Sequence, residues 1–267
     1  MLYAVLADIH GNMHALNNVV SDMSDYDING VILLGDLIDY GMQSDETVAF
    51  IRDRLGYDII CNIWGNHERA IMLEDYSGFS SQRGVDCAKY TASVLKDETK
   101  LYLSSQMDVR GMSEFDLAGK KCLAVHGALG NLRSDTGDNG LDWIVPDSVS
   151  GAENQSLFWE SVSPENVNGD YRNYDIVFSG HSHYSHVFSV FYDADDPDMR
   201  NKHAVTFINP GSVGQPRNHN SNAQYALLDA DSLSVQLRSV PYDIEAARAL
   251  YDGRVDSFYK DRLLKGI

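Results

Sequence analysis

Three times in its first 68 residues the chain runs a short apolar stretch into a polar cluster. Leu2 to Ala7 leads into Asp8-Ile9-His10-Gly11-Asn12, and Val31 to Leu34 into Gly35-Asp36, with Asp39-Tyr40-Gly41 just beyond. Asp58 to Ile63 leads into Gly65-Asn66-His67-Glu68. Apolar runs this short, bounded by turn residues, read as strands. Between them, Met13 to Met23 carries Ala15, Leu16, Val19, Val20 and Met23 at helical spacing, and a second helix is expected from about Asp45 to Leu55. A βαβαβ opening of this kind predicts a largely parallel sheet with crossover helices. The rim where such strands end is where α/β proteins build their sites.

Two further strands end the same way. After a more polar, helical stretch over about 70–105, a hairpin is expected with strands Ser113 to Leu117 and Lys121 to Val125, ending in His126-Gly127. Tyr174 to Phe178 runs into Ser179-Gly180-His181-Ser182-His183. Strands near 186–192, 204–208, 225–228 and 234–240 follow, and helices over 243–251 and 257–264 close the chain. The stretch 129–173, rich in Gly, Asp, Asn and Ser, reads as an irregular loop with a short helix near 155–162. Five of the nine histidines stand at strand ends or just past them. On an extended chain residues two apart face the same way, so Asp8 and His10 are expected to point together, as are His181 and His183.

Carboxylate, imidazole and amide oxygen without thiolate suit Mn, Fe, Zn, Co or Ni rather than a soft Cu(I) site. Seven candidate ligands exceed one tetrahedral ion and fit two, and two-metal sites with ions about 3.5–4 Å apart are a standard device for phosphoester hydrolysis. The net charge of −18 argues against a nucleic-acid-binding face and would repel an anionic substrate at long range. A local pair of dications outweighs that distant, screened charge. Three cysteines without metal spacing, no basic leader and no long apolar run predict a cytoplasmic protein.

Asp8-Ile9-His10, Gly35-Asp36, Gly65-Asn66-His67-Glu68, His126-Gly127 and Gly180-His181-Ser182-His183 together resemble the ordered motif set of the calcineurin-like metallophosphoesterase superfamily. Asp8 to Asn12, Ile208 to Arg217 and Val240-Pro241-Tyr242-Asp243 with Arg262-Leu263-Leu264 resemble its bacterial and archaeal phosphodiesterase-type branch. The resemblance implies an α/β fold, a four-layer α/β/β/α sandwich of two mixed β-sheets, here as a single domain over 1–267 with a helical insertion at about 70–105. It implies one divalent ion held by Asp8, His10, Asp36 and His183 and a second by Asp36, Asn66, His126 and His181, manganese being the first expectation and Fe, Zn, Ni or Co the others. A hydroxide between the ions is the implied nucleophile, with His67 as general acid and Asp39 as the carboxylate that orients it. The implied substrate is a phosphate-ester small molecule or nucleotide, with Arg217 and Asn12 as candidate substrate-binding residues and no duplex nucleic acid or membrane as partner.

Two other functions are weighed against this one. Protein Ser/Thr phosphatases and dinucleoside polyphosphate hydrolases share the Asn-His-Glu form but carry arginine where this chain has Tyr40, a change that removes a bidentate phosphate clamp. A non-enzymatic metal-binding scaffold would be expected to have lost ligands, and none is missing here. Glu68 reads equally as a helix-start carboxylate or a site residue. The loop Asn209 to Gly214 reads as a turn or as a source of free N–H groups for an anion. His186 reads as a strand-face residue, and His203 and His219 as surface residues.

Overall fold

Strand β1 (Leu2–Leu6) is buried on both faces, and its two faces feed two different cores. Ala4 and Leu6 point to one side with the apolar stripe of α1 (Met13–Met23), while Tyr3 and Val5 point to the other. The computed structural model describes residues 1–129, 143–144, 170–192 and 203–267. β1 pairs in parallel with β2 (Ile28–Leu33), and β2 in parallel with β3 (Ile59–Asn62), with α1 and α2 (Ser44–Arg54) as the crossovers. On its other edge β1 pairs antiparallel with β11 (Ala223–Asp229), which forms a hairpin with β12 (Ser234–Val240). The first sheet thus has the order β12-β11-β1-β2-β3.

The second sheet has the order β4-β5-β8-β10-β9, built from β4 (Met112–Leu117), β5 (Lys120–Val125), β8 (Ile176–Ser179), β9 (His186–Tyr192) and β10 (His203–Asn209). Its three central strands are mutually parallel and its edge strands antiparallel to them. A short pair, β6 (Ala128–Leu129) with β7 (Trp143–Ile144), follows β5. Tyr3, Val5, Ile32 and Leu34 of the first sheet meet Cys122, Ala124, Ile176, Phe178 and Ile208 of the second, so the sheets pack face to face over one apolar core. Helices cover the outer face of the first sheet. On the outer face of the second, Tyr171 and Tyr174, in and just after a 3₁₀ turn, pack on Val177, Val205 and Phe207. This is the expected α/β architecture of two mixed five-stranded sheets packed face to face; among the described residues, α-helices cover the first sheet and a 3₁₀ turn the second.

The region expected to be helical resolves into α3 (Asn66–Leu73), α4 (Gln82–Val94) and α5 (Asp97–Ser105), which bury Ile71, Ala88, Tyr102 and Leu103 against the first sheet's core. α3 begins four residues earlier than its apolar pattern suggests. The chain closes with α6 (Ile244–Ala249) and α7 (Ser257–Lys265). The helix expected near 155–162 lies outside the described residues. Among those described, no helix is long and apolar enough to cross a membrane.

Candidate metal centre

All five polar clusters gather at one edge of the two sheets, beyond the ends of the parallel strands β1, β2, β3, β5 and β8. Three groups of side chains come within ligand distance of one another: Asp8, His10 and His183; Asp36, His126 and His181; and His10, Asp36 and His67. His10 Nε2 lies 3.2 Å from His183 Nε2, and His183 Nε2 lies 3.4 Å from Asp8 Oδ1. His126 Nε2 is 3.2 Å from Asp36 Oδ2 and 3.1 Å from Asn66 Oδ1, which is 2.9 Å from His181 Nδ1. Asp36 Oδ2 is also 3.8 Å from His10 Nε2 and so stands between the two groups.

The backbone reaches these positions by a route that differs from the expected one. β1 ends at Leu6, and both Asp8 (φ 53°) and His10 (φ 48°) are left-handed rather than extended. The same holds for Asp36, His181 and His183, and for Asp39 and Tyr40. The side chains converge because tight loops turn them inward, not because they alternate along a strand. A left-handed conformation is unfavourable for residues with a Cβ and persists where the surroundings over-determine it. Gly35 (φ 88°) and Gly65 permit a close approach of two of these loops: a Cβ on Gly65 would lie 2.0 Å from Asp36 Oδ1.

What over-determines the loops is a set of buried hydrogen bonds. Glu68, fully buried, accepts the N–H groups of Asp36 and Leu37 at 2.8 Å each and that of Gly65 at 2.8 Å. It ties the loop after β2 to the start of α3, and burial pushes its carboxyl up to about 7, with Asp36 adding to the rise. Asn209 donates to Gly180 O at 2.9 Å and Ser182 Oγ at 3.1 Å, which holds the loop carrying His181 and His183. Ser212 Oγ donates to Asp8 O, and the N–H groups of Val213 and Gly214 donate to Ala7 O and Asp8 O. The loop after β10 therefore braces the ligand loops, and the N–H groups of Val213 and Gly214 are engaged in doing so.

Asn12 is not free for substrate. Its oxygen caps α1 by accepting from Ala15 N, and its amide donates to Gly214 O and Tyr242 Oη. His203, expected at the surface, is half-buried, with Nε2 2.7 Å from Tyr174 O. His219 is exposed, as expected, and His186 opens strand β9.

The donor chemistry fits a divalent cation. His10, His126 and His183 direct Nδ1 to the backbone carbonyls of Ile38, Leu34 and Gln215, at 3.2, 2.6 and 2.5 Å. A carbonyl can only accept, so each Nδ1 carries a proton. Burial holds His10 and His183 neutral, well below the usual histidine range, so their Nε2 lone pairs face each other at 3.2 Å. That contact is repulsive unless a cation is shared. The carboxylates carry the same demand. Burial, reinforced by Asp36, pushes Asp8 up to about 8. Burial works against a charged His126, but Asp36 outweighs it and draws that ring up to about 9. Histidines held by backbone carbonyls on the far nitrogen are how proteins orient metal ligands.

His67, within ligand distance of His10 and Asp36, also has a carboxylate partner of its own. Its Nδ1 lies 2.7 Å from Asp39 Oδ2, and its Nε2 faces the cluster, 3.9 Å from Asp36 Oδ2. Burial opposes its protonation, but Asp36 and Asp39 outweigh it and raise its pKa. The Tyr40 ring meets His67 edge-on at 4.4 Å and stacks on Tyr259 at 4.6 Å. Arg217 follows the bracing loop: its backbone N–H donates to His183 O, and its Nε is buried without a hydrogen-bond partner among the described residues.

A family description, the calcineurin-like phosphoesterase superfamily domain, matches residues 1–233. The chain belongs to that superfamily. It is 26% identical over 277 residues to an uncharacterized protein of Methanocaldococcus jannaschii, covering 99% of this chain and 98% of that one. Among solved structures it is similar to a metallophosphoesterase from Sphaerobacter thermophilus, with a TM-score of 0.66, 22% identity and full coverage of both chains. It is also similar to a hypothetical protein from Pyrococcus horikoshii OT3, with a TM-score of 0.72, 19% identity, and coverage of 100% and 98%. At these identities the likeness to solved structures establishes the fold. Membership of the superfamily, with the His/Asp clusters, makes the chain a metal-dependent phosphoric ester hydrolase.

Proposed function

We propose that this single domain of residues 1–267 hydrolyses phosphodiester or phosphomonoester bonds of small molecules or nucleotides with two divalent ions. Asp8, His10, Asp36 and His183 would hold one, and Asp36, Asn66, His126 and His181 the other. The position of Asp36 Oδ2 between His10 and His126 supports a bridging role for that carboxylate. Manganese is the first expectation for such oxygen- and imidazole-rich ligands, and the cytoplasm the expected location. Bound there, divalent ions supply positive charge to a phosphoryl oxygen and lower the pKa of water toward neutrality.

The chain's own residues do the rest. A water oxygen forms the new P–O bond and gives up its proton to solvent as the ester P–O bond breaks, and the leaving oxygen needs a proton. His67 Nε2–H is the donor: it faces the cluster, and Asp39 on Nδ1 stabilises the protonated ring and fixes its orientation. After donation the neutral ring regains its proton from solvent. Arg217, half-buried beside His183, would meet a non-bridging phosphate oxygen. Asn12 is left out of the substrate contacts because its amide is engaged in capping and bracing. Tyr40 occupies the place where protein phosphatases and dinucleoside polyphosphate hydrolases carry arginine, and its ring packs on His67 and Tyr259. That packing favours simple phosphate esters over those substrates.

The single observation that carries this reading is the Asp39–His67 pair directed at Asp36 within the ligand cluster. The test is hydrolysis of aryl phosphate mono- and diesters by the Mn²⁺- or Ni²⁺-loaded protein, with His67→Ala beside it. Turnover is expected for the unaltered chain, with a loss of roughly 10²–10⁴-fold in His67→Ala. No turnover with either metal overturns the enzyme reading, and full activity in His67→Ala overturns the general-acid assignment.

A further inference from the structure

Asp39 is more tightly held than a carboxylate needs to be to accept one hydrogen bond. Its Oδ2 takes His67 Nδ1 at 2.7 Å, and its Oδ1 takes the hydroxyl of Thr91 at 2.6 Å. Its backbone N–H donates to Ser44 Oγ at 3.0 Å. Asp39 is fully buried and Thr91 is 4% exposed, so no solvent competes for these bonds. Thr91 lies on α4, 52 residues away in sequence, in a helix that the ligand set does not use. A helical threonine can return its hydroxyl to the carbonyl one turn back; here it is directed out of the helix to a charged acceptor.

We infer that Thr91 is a positioning residue for phosphoester hydrolysis, acting on His67 through Asp39. The inference rests on the proposed role of His67 as general acid. The terminal torsion of an aspartate is broad and roughly two-fold, so a carboxylate gripped at one oxygen can rotate away from its imidazole. Gripped at both, it presents Oδ2 to His67 and holds the ring with Nε2 toward Asp36. The helical segment 70–105 thereby acquires a chemical role. Helix α4 packs on the core through Ala88 and delivers the hydroxyl that completes the relay Thr91–Asp39–His67.

Leaving-group dependence separates this role from a merely structural one. An ester with a good leaving group such as p-nitrophenol departs without a proton, whereas an alkyl alcohol does not. The experiment measures kcat and KM for p-nitrophenyl, phenyl and alkyl phosphate esters on the Mn²⁺-loaded protein and its Thr91→Val, Thr91→Ser and His67→Asn variants. Folding of each is checked by circular dichroism. In Thr91→Val, kcat should fall roughly 10–100-fold on the alkyl ester and less than about threefold on p-nitrophenyl, part of the 10²–10⁴ that general acids contribute. KM should hold, and Thr91→Ser should stay close to the unaltered chain throughout. With diamagnetic Zn²⁺ or Mg²⁺ in place of Mn²⁺, a downfield proton resonance from His67 Nδ1–H should survive in Thr91→Ser and broaden or shift in Thr91→Val.

An equal loss in Thr91→Val across all leaving groups, or a Thr91→Ser that behaves like Thr91→Val, overturns the inference while leaving the enzyme reading intact. A His67→Asn loss that ignores the leaving group overturns the general-acid reading and this inference with it. Should Thr91→Val not fold, an unaltered profile and resonance in Thr91→Ser support the role of the hydroxyl, and their loss in that folded variant overturns it.

Discussion

Glu68 is the residue whose chemistry is least visible in its own surroundings on the chain. It stands in the first turn of α3, where a carboxylate suits the helix dipole. Its larger role is to receive four N–H groups, from Asp36, Leu37, Ile38 and Gly65, in a volume closed to water. Exchanging it for glutamine keeps the shape but turns an NH₂ toward N–H donors. Glu68→Gln is therefore expected to lose about 1–3 kcal/mol of stability for each donor left unsatisfied, read as a lower urea midpoint at an unchanged slope. A midpoint within error of the unaltered chain would remove Glu68 from the bracing scheme. Asp36 shows the same economy of use. One oxygen accepts His67 N–H at 2.9 Å in the first turn of α3, and the other is left for the cluster.

At the scale of elements, five of the strand-end clusters were legible because an apolar run that stops at Asp or His is a local signal. The helices α1 and α2, the parallel opening and the β11–β12 hairpin followed from periodicity and turn residues alone. What the chain does between strand and ligand was not legible. The left-handed turn at Asp8 and His10 depends on Gly214 lying against Ile9 O, more than two hundred residues away, where a Cβ would approach to 1.8 Å. Thr91 was also unreadable, because nothing near it in sequence signals that its hydroxyl meets Asp39. Asn12 has a role that its motif position does not signal: its side chain caps α1 and bonds Gly214 O and Tyr242 Oη. The loop after β10 offers a test of bracing. Asn209→Ala removes the amide donations to Gly180 O and Ser182 Oγ in the His181–His183 loop and is expected to weaken metal affinity by roughly 10–100-fold, as loss of groups that orient ligands typically does. Titration with Mn²⁺ followed by calorimetry checks this, and unchanged affinity would mean that the loop holds itself.

For the molecule as a whole, the cluster draws the proposed ligands from both sheets: Asp8, His10, Asp36 and Asn66 from the first, His126, His181 and His183 from the second. A cation bound there joins the two layers, so its removal is a stability event as well as a loss of activity. Adding Mn²⁺ at about 100 times its dissociation constant is expected to stabilise the fold by about 2.7 kcal/mol; chelator should reverse the rise in melting temperature. No change in melting temperature on either treatment would count against a preformed site. A second, remote linkage has a defined sign. Asp22 on α1 accepts Arg238 at 2.7 Å and Tyr225 Oη at 2.5 Å, joining the helix to β11 and β12. Burial is the largest single influence and opposes its ionisation, but the bonds from Arg238 and Tyr225 with the Arg238 charge together prevail and hold its carboxyl below the usual aspartate value. Its contribution is therefore complete above pH about 4 and is lost as pH falls through the lower folded value. Asp22→Asn should flatten the acid limb of the stability curve in that window, and an unaltered limb would show that the ion pair carries no net weight.

Seven residues of the site with side chains (Asp8, His10, Asp36, Asp39, Tyr40, His181 and His183) hold a backbone conformation that glycine adopts without penalty. Each is a place where a sequence selected for folding alone would drift to glycine, and where that drift would erase a proposed ligand or a part of the proposed proton relay. The strain is thus a ratchet against neutral change. Any descendant that trades function for stability should reveal itself by glycines at these positions, before its core or its sheets have altered.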